Sequence, residues 1–192
     1  MLRVQHTVTQ ALGAVPPNDA STIGGINSKS DSAEDGNLAG QLDIVRRLVT
    51  ANVSAKAYGV SMTNYDTHAD EKATQQRLLS ELDQAVTPWV SQMAADPKGQ
   101  HSVMVIYSEF GRRVQANASG GTDHGSASVA FVVGPKVKGG YYGEQPTLTN
   151  LNDGNLIFTT DFRSIYSTVL EKVIGEDPKV ALNGSFPSLG FV

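Results

Sequence analysis

The apolar run Val103-Met-Val-Ile-Tyr107 constrains the fold of this chain more than any other feature of its sequence. The run is unbroken and rich in β-branched residues, which is typical of a strand covered on both faces in a parallel sheet. It follows a stripe of apolar residues at helical spacing: Leu78, Leu82, Val86, Val90 and Met93. Ahead of that stripe, a short strand is indicated by the alternation of Tyr58, Val60 and Met62. Strand, helix and strand in this order predict a βαβ unit and therefore an α/β fold.

The regions on either side of this unit differ in character. Residues 13 to 40 are rich in Gly, Pro, Ser, Asn and Asp, so we expect residues 1–37 to form a flexible N-terminal segment. From Leu38 to about Asn52 the apolar residues recur every three or four positions, which predicts an amphipathic helix. A further buried strand is predicted over Ser128 to Val133. The folded part of the chain is therefore expected over residues 38–192.

Composition excludes several classes of protein. The net charge of −4 argues against a dedicated nucleic-acid binder, whose surface would be basic. No apolar stretch approaches the roughly 18 residues that a membrane helix needs. Because the 192-residue chain has no cysteine, any metal must be held by His, Asp or Glu.

Carboxylates and imidazoles gather where the predicted strands end, the edge at which open α/β sheets bind ligands. Asp66 and His68 follow the first strand, Glu109 follows the second, and Asp123-His124 lies in a glycine-rich stretch before the next. Each motif alone is equally typical of a helix cap or a turn with a solvated histidine. Their shared placement favours a metal site.

Two ions about 3.5 to 4 Å apart, held by such ligands, can clamp the attacking and leaving oxygens of a phosphoryl or sulfuryl transfer. Arg112 or Arg113 could bind the oxyanion of the substrate through its planar guanidinium, although an arginine in such a place is more often a surface ion-pair partner. Asn117-Ala-Ser119 is one match to the glycosylation sequon, a pattern that recurs by chance.

Five motifs, in order, give the chain a resemblance to the DUF1501 family: Asn64-Tyr-Asp-Thr-His-Ala-Asp70, Ser108-Glu-Phe-Gly-Arg-Arg113, Gly120-Gly-Thr-Asp-His-Gly125, Thr159-Thr-Asp-Phe-Arg163 and Gly184-Ser-Phe-Pro-Ser-Leu-Gly190. The resemblance implies the alkaline phosphatase and sulfatase superfamily, with a three-layer α/β/α fold around a mostly parallel sheet. It also implies a twin-arginine export signal and a periplasmic or secreted location for the full-length protein.

The same resemblance implies roles for individual residues. Asp123-His124-Gly125 is similar to a metal-binding pattern of the superfamily, and Asp66 and His68 resemble a second pair of ligands. Glu109 matches the Glu-Phe-Gly-Arg motif of the family and is included among the candidate metal ligands. The expected cofactors are divalent ions (zinc, manganese or calcium), and the expected substrate is an anionic ester.

DUF1501 proteins are typically much longer, and their superfamily carries its Ser or Thr nucleophile in the N-terminal half. We therefore expect this chain to be the C-terminal half of an exported, metal-dependent hydrolase, with little or no turnover alone and a tendency to self-associate through an uncovered sheet. One alternative is a non-catalytic binding or assembly module that keeps the fold. Another is a small cytoplasmic enzyme that is complete as it stands.

Overall fold

The computed structural model describes residues 37–192, so the expected flexible segment lies, apart from Asn37, outside the described residues. Within this range the helices are α1 (Leu38–Thr50), α2 (Glu71–Ala95), α3 (Arg163–Val169), which continues into a π-helical turn at Leu170–Ile174, and α4 (Pro178–Leu182). The strands are β1 (Met104–Ile106), β2 (Gly111–Ala116), β3 (Thr122–Gly125), β4 (Phe131–Val133), β5 (Leu151–Asn152) and β6 (Asn155–Leu156). No described helix has both the length and the apolar character needed to cross a membrane.

The two long helices form where the apolar periodicity predicts them. Asn37 caps α1, because its side-chain oxygen accepts a hydrogen bond from the Ala39 amide at 2.9 Å. Helix α2 is continuous through Pro88, and it buries Leu78, Val86 and Met93 of the predicted stripe. The helix predicted from Leu38 to about Asn52 and the helical stripe that precedes Val103 are both confirmed.

The main hydrophobic core lies between these helices and one small sheet. Its buried members are Leu42 of α1 and Ala85, Val86, Trp89 and Met93 of α2. Apolar residues of β1 and β4 pack against this cluster: Met104, Ile106 and Val133. Strand β1, the centre of the run Val103 to Tyr107, thus contributes to the core, but its three residues are only partly buried and are not covered on both faces in a parallel sheet as expected.

The predicted three-layer α/β/α fold around a mostly parallel sheet is wrong for the described residues. Their strands form three separate antiparallel pairs, β1 with β4, β2 with β3 and β5 with β6. Residues 58–62 form no strand; Ser61 instead exchanges two hydrogen bonds with the side-chain amide of Gln41 in α1. The cause of the error is that a short β-branched run indicates a buried strand but does not specify the direction of its partner.

The β2–β3 hairpin is the element that positions the candidate site. Gly111 pairs with Gly125 and Arg112 with His124, and the register shifts before Ala116 pairs with Thr122. A Cβ on Gly125 would lie 2.6 Å from the backbone oxygen of Arg112, so only glycine permits this close approach of the strands. The β5–β6 hairpin packs against β2.

Candidate metal centre

Three side chains from two distant parts of the sequence converge beside the β2–β3 hairpin. Asp66 and His68 lie on the segment that leads into α2, and His124 lies on β3. The Asp66 Oδ1 atom is 2.7 Å from His124 Nε2 and 3.0 Å from His68 Nε2. The two imidazole nitrogens are 3.2 Å apart. Among the described residues, Asp66, His68 and His124 are the one set of three or more potential ligands that lie close enough together to hold a metal ion.

The three side chains are exposed to solvent and are hydrogen-bonded to one another. Their exposed fractions are 63% for Asp66, 47% for His68 and 44% for His124. The hydrogen bond with His124, followed by the charges of both histidines, lowers the pKa of Asp66 below its ordinary value. The carboxylate is therefore ionised at neutral pH, the form in which it can bind a cation.

The donor set fits a small divalent ion. Zinc bound to nitrogen and oxygen ligands at about 2.0 to 2.1 Å in tetrahedral geometry places those ligand atoms about 3.3 Å apart. The three atoms here are 2.7 to 3.2 Å apart, so their separations need to increase by about 0.1 to 0.6 Å to reach the tetrahedral value. Their exposure leaves space on the solvent side for a further ligand.

Arg112 fixes the segment that carries Asp66. Its Nη2 donates to the Tyr65 carbonyl at 2.6 Å and to Thr67 Oγ1 at 3.2 Å. Its Nη1 donates to the Thr122 carbonyl at 2.6 Å, which joins this segment to β3. The guanidinium that the sequence offers as an anion-binding group is thus used in backbone contacts, with Glu71 3.4 Å away.

Phe110 is a part of the site that sequence reasoning missed. Its ring stacks on the His124 imidazole with centroids 3.8 Å apart and an interplanar angle of 10°. The Arg112 guanidinium carbon lies 5.1 Å from the centroid of the Phe110 ring. The sequence signal for Phe110 is the motif Ser108-Glu-Phe-Gly-Arg112, in which residue type alone indicates a site role only for the charged members.

The other candidate residues lie around the cluster. Glu109 is exposed and is not among the three grouped ligands. Arg113 donates to the Asp153 carbonyl at 3.2 Å. The hydrogen bonds with Asn117 and His68, followed by the charges of His68 and Arg113, lower the pKa of Asp123 below its ordinary value. Asp123 faces the Nδ1 atom of His68 at 3.2 Å. A second missed residue, Asn117, donates to the same Asp123 oxygen at 3.2 Å.

Comparison with known proteins decides the family. A family model described as "Protein of unknown function (DUF1501)" matches residues 17–176, most of the chain. The chain belongs to the DUF1501 family. Asp66, His68 and His124 all lie within the matched range. No curated protein and no solved structure matches this DUF1501 chain.

Proposed function

We propose that this DUF1501 chain binds one divalent metal ion through Asp66, His68 and His124, and that the site serves the hydrolysis of an anionic ester. The convergence of one carboxylate oxygen and two imidazole nitrogens within 3.2 Å of one another supports this proposal. Three protein ligands with a remaining open position are typical of catalytic zinc sites, whereas structural zinc sites have four.

Zinc is the ion that the donor set favours. Two imidazoles and one carboxylate resemble the His₂Glu sets of known zinc hydrolases. Calcium takes six to eight oxygen ligands, and the cluster offers one carboxylate. Manganese, which prefers oxygen ligands, ranks second. An ion bound here would supply Lewis acidity to the oxygen of a bound ester.

Three other residues of the chain have proposed roles in positioning the ligands and in binding the substrate. Arg112 holds the Asp66 segment, and Phe110 fixes the plane of His124. We assign the attraction of a substrate's anionic group to Arg113, whose guanidinium donates to the exposed Asp153 carbonyl and, unlike that of Arg112, is not engaged with the Asp66 segment. A phosphate or sulfate ester is the substrate class that the motifs imply through their resemblance to the phosphatase and sulfatase superfamily.

Three further expectations stay predictions: that the chain is the C-terminal half of a longer protein, that this protein is exported to the periplasm or secreted, and that it has a separate nucleophile. The non-catalytic binding module stays the alternative. Both an ester hydrolase and a non-catalytic binding module could use a metal site of this kind. Metal binding is therefore tested first and hydrolysis second.

Zinc binding by the purified chain tests the proposal. We expect one zinc ion per chain in equilibrium dialysis followed by elemental analysis, and loss of that ion in Asp66→Ala and His124→Ala. His101→Ala is the matched control, because this exposed histidine contacts Lys136 and is not among the three grouped ligands. Absence of zinc from the wild type, or equal zinc in all variants, would contradict the proposal.

Hydrolysis of p-nitrophenyl phosphate and p-nitrophenyl sulfate by the zinc-loaded chain tests the second part. Turnover above the His124→Ala background supports an ester hydrolase. Zinc binding without such turnover is expected both of a half that lacks its nucleophile and of the non-catalytic module. The same assay on the full-length protein separates the two, because turnover there would exclude the non-catalytic module.

A further inference from the structure

We infer that Asn117 is a positioning residue of the proposed metal centre, and that it joins the segment carrying His68 to the hairpin carrying His124. This inference rests on the proposed metal site and deepens it, because it names a residue that sets the distance between two ligands. Asn117 directly follows β2, and the contact of its side chain with His68 is to the backbone carbonyl.

The three proposed ligands need such a connection because the protein core does not enclose them. Their exposed fractions of 44% to 63% leave one side of each side chain open to solvent. A metal site requires its ligands to be held within about 0.5 Å of the binding geometry. Arg112 holds the backbone around Asp66, and Phe110 stacks on His124. The backbone of His68 is held by the turn between β2 and β3.

The side chain of Asn117 bonds in two directions at once. Its Nδ2 donates to the His68 carbonyl at 3.0 Å and to Asp123 Oδ1 at 3.2 Å. Its Oδ1 accepts from the Ser119 amide at 2.9 Å and from the Gly121 amide at 3.1 Å. All four hydrogen-bonding positions of the amide are used, so one group links the His68 backbone to both the turn and β3. The same bonds leave no free Nδ2–H for a glycan at this sequon.

The turn between β2 and β3 also touches the His68 backbone directly. A Cβ on Gly121 would lie 2.6 Å from the carbonyl carbon and oxygen of His68, so only glycine permits this approach. The amides of Asp70 and Glu71 donate to two carbonyls of the same turn, at 3.3 and 3.2 Å. These main-chain bonds place the start of α2 on the turn, whereas the side chain of Asn117 reaches the ligand-bearing residue itself.

The position of this turn determines the distance between His68 and His124. Strand β3 begins at Thr122, directly after the turn, and His124 lies on it. The Nε2 atoms of the two histidines are 3.2 Å apart, close to the separation that one tetrahedral ion requires. If the Asn117 bonds are lost, the His68 backbone is free to move away from the turn, and the two nitrogens no longer converge on one ion.

Asn117→Ser separates this role from a role in forming the turn. A serine hydroxyl can accept from the backbone amide two residues on, as the Asn117 oxygen does, but it has no second polar atom for the His68 carbonyl. If Asn117 only shapes the turn, Asn117→Ser should behave like the wild type. Because we infer that it positions His68, we expect Asn117→Ser to behave like Asn117→Ala.

Nuclear Overhauser effects (NOEs) in the metal-free chain give the first readout. The ring centroids of His68 and His124 are 4.9 Å apart, so the wild type should show an NOE between their ring protons. That NOE should be lost in Asn117→Ser and Asn117→Ala, while circular dichroism shows the helices of the wild type. Gly175→Ala is the control, because a side chain at this left-handed glycine (φ 76°) lowers stability at a helix end outside the cluster. It should keep the NOE.

Zinc affinity gives the second readout. Asn117→Ser should bind one ion per chain about 10-fold more weakly than the wild type, the lower end of the loss caused by removing a group that supports a metal ligand. Gly175→Ala should bind zinc with the wild-type affinity. Both variants are measured at a temperature at which they are folded, so a general loss of stability does not change the result.

Three results would overturn the inference: no NOE between the two rings in the wild type, the wild-type NOE or the wild-type zinc affinity in Asn117→Ser, or losses in Gly175→Ala as large as those in Asn117→Ser. If the wild type shows the NOE but binds no zinc, the proposed function fails, and the NOE of Asn117→Ser alone decides the role of Asn117.

Discussion

At the scale of single residues, the aromatic and cationic residues of the Ser108-Glu-Phe-Gly-Arg112 motif are the ones that contact the candidate site. The Phe110 ring contacts both the imidazole of His124, a proposed ligand, and the guanidinium of Arg112, which has a structural role. The sequence predicted Asp66, His68 and His124 from residue type and from an expected placement at strand ends. That placement is wrong, because residues 58–62 form no strand and His124 lies within β3. The sequence groups Asp123 with the other candidate ligands, whereas in the structure Asp123 lies outside the cluster of three, with its Oδ1 atom 3.2 Å from His68 Nδ1.

Phe110→Leu should weaken zinc binding while leaving the fold intact. Leucine keeps the apolar volume but loses the planar stack on His124, an interaction worth about 0.5 to 1.5 kcal/mol, or roughly 2- to 12-fold in affinity. Zinc titration against a chromophoric chelator measures the change. Phe158→Leu, at an exposed position, is the matched control. Equal affinity in both variants would show that the stack does not orient His124.

Arg112→Lys should lower the free energy of unfolding by about 1 to 3 kcal/mol, since an ammonium cannot span the Tyr65 and Thr122 carbonyls as the planar fork does. Urea denaturation monitored by circular dichroism measures this loss. Arg113→Lys, where one exposed carbonyl contact is at stake, should change the stability by much less. Similar losses in the two variants would contradict the structural role of Arg112.

At the scale of elements, the helices could be predicted and the strand pairing could not. Helix α1 and the stripe of α2 follow from periodicity within one segment, because the buried face of a helix repeats every three to four residues. The direction and partner of β1 depend on Phe131–Val133, which is distant in sequence. Residues 58–62 alternate like a strand, but the side chain of Gln41 takes the hydrogen bonds that a neighbouring strand would make.

The ends of α1 and α2 are joined by an acid-sensitive contact. Asp96 accepts from the Lys98 amide and from the Thr50 hydroxyl, both at 2.8 Å, and these bonds lower the pKa of Asp96 below its ordinary value. A carboxyl whose pKa is lowered by folding stabilises the protein above its unfolded pKa and loses that contribution as the pH falls through the folded pKa.

Asp96→Asn should therefore melt below the wild type at pH 7, and the difference should shrink as the pH falls below about 4. Thermal melts of both proteins at a series of pH values measure it. A difference that stays constant down to pH 2, or grows, would contradict the contact between the helix ends.

At the scale of the whole described chain, small sheets leave aromatic surface exposed. Tyr107 follows β1 and is 67% exposed, and Phe162 is 64% exposed. Both make edge-to-face contacts with Tyr166, so they form one aromatic patch. Exposed apolar patches favour association. The self-association expected from the sequence stays a prediction, now with a defined surface.

Sedimentation velocity should show concentration-dependent association of the wild type that is reduced in Tyr107→Ser/Phe162→Ser. Leu148→Ser, another exposed apolar position, serves as the control. A wild type that sediments as a monomer at all concentrations would contradict this prediction.

X-ray absorption at the zinc edge tests the central claim most directly, because it reports the ligands of the ion itself. We expect a first shell of nitrogen and oxygen atoms at about 2.0 to 2.1 Å in the wild type, with outer-shell scattering from two imidazoles. His124→Ala should lose the bound zinc and with it this spectrum. His101→Ala should give the wild-type spectrum. A first shell without imidazole scattering, or the same spectrum in the wild type and His124→Ala, would contradict a metal centre built from Asp66, His68 and His124.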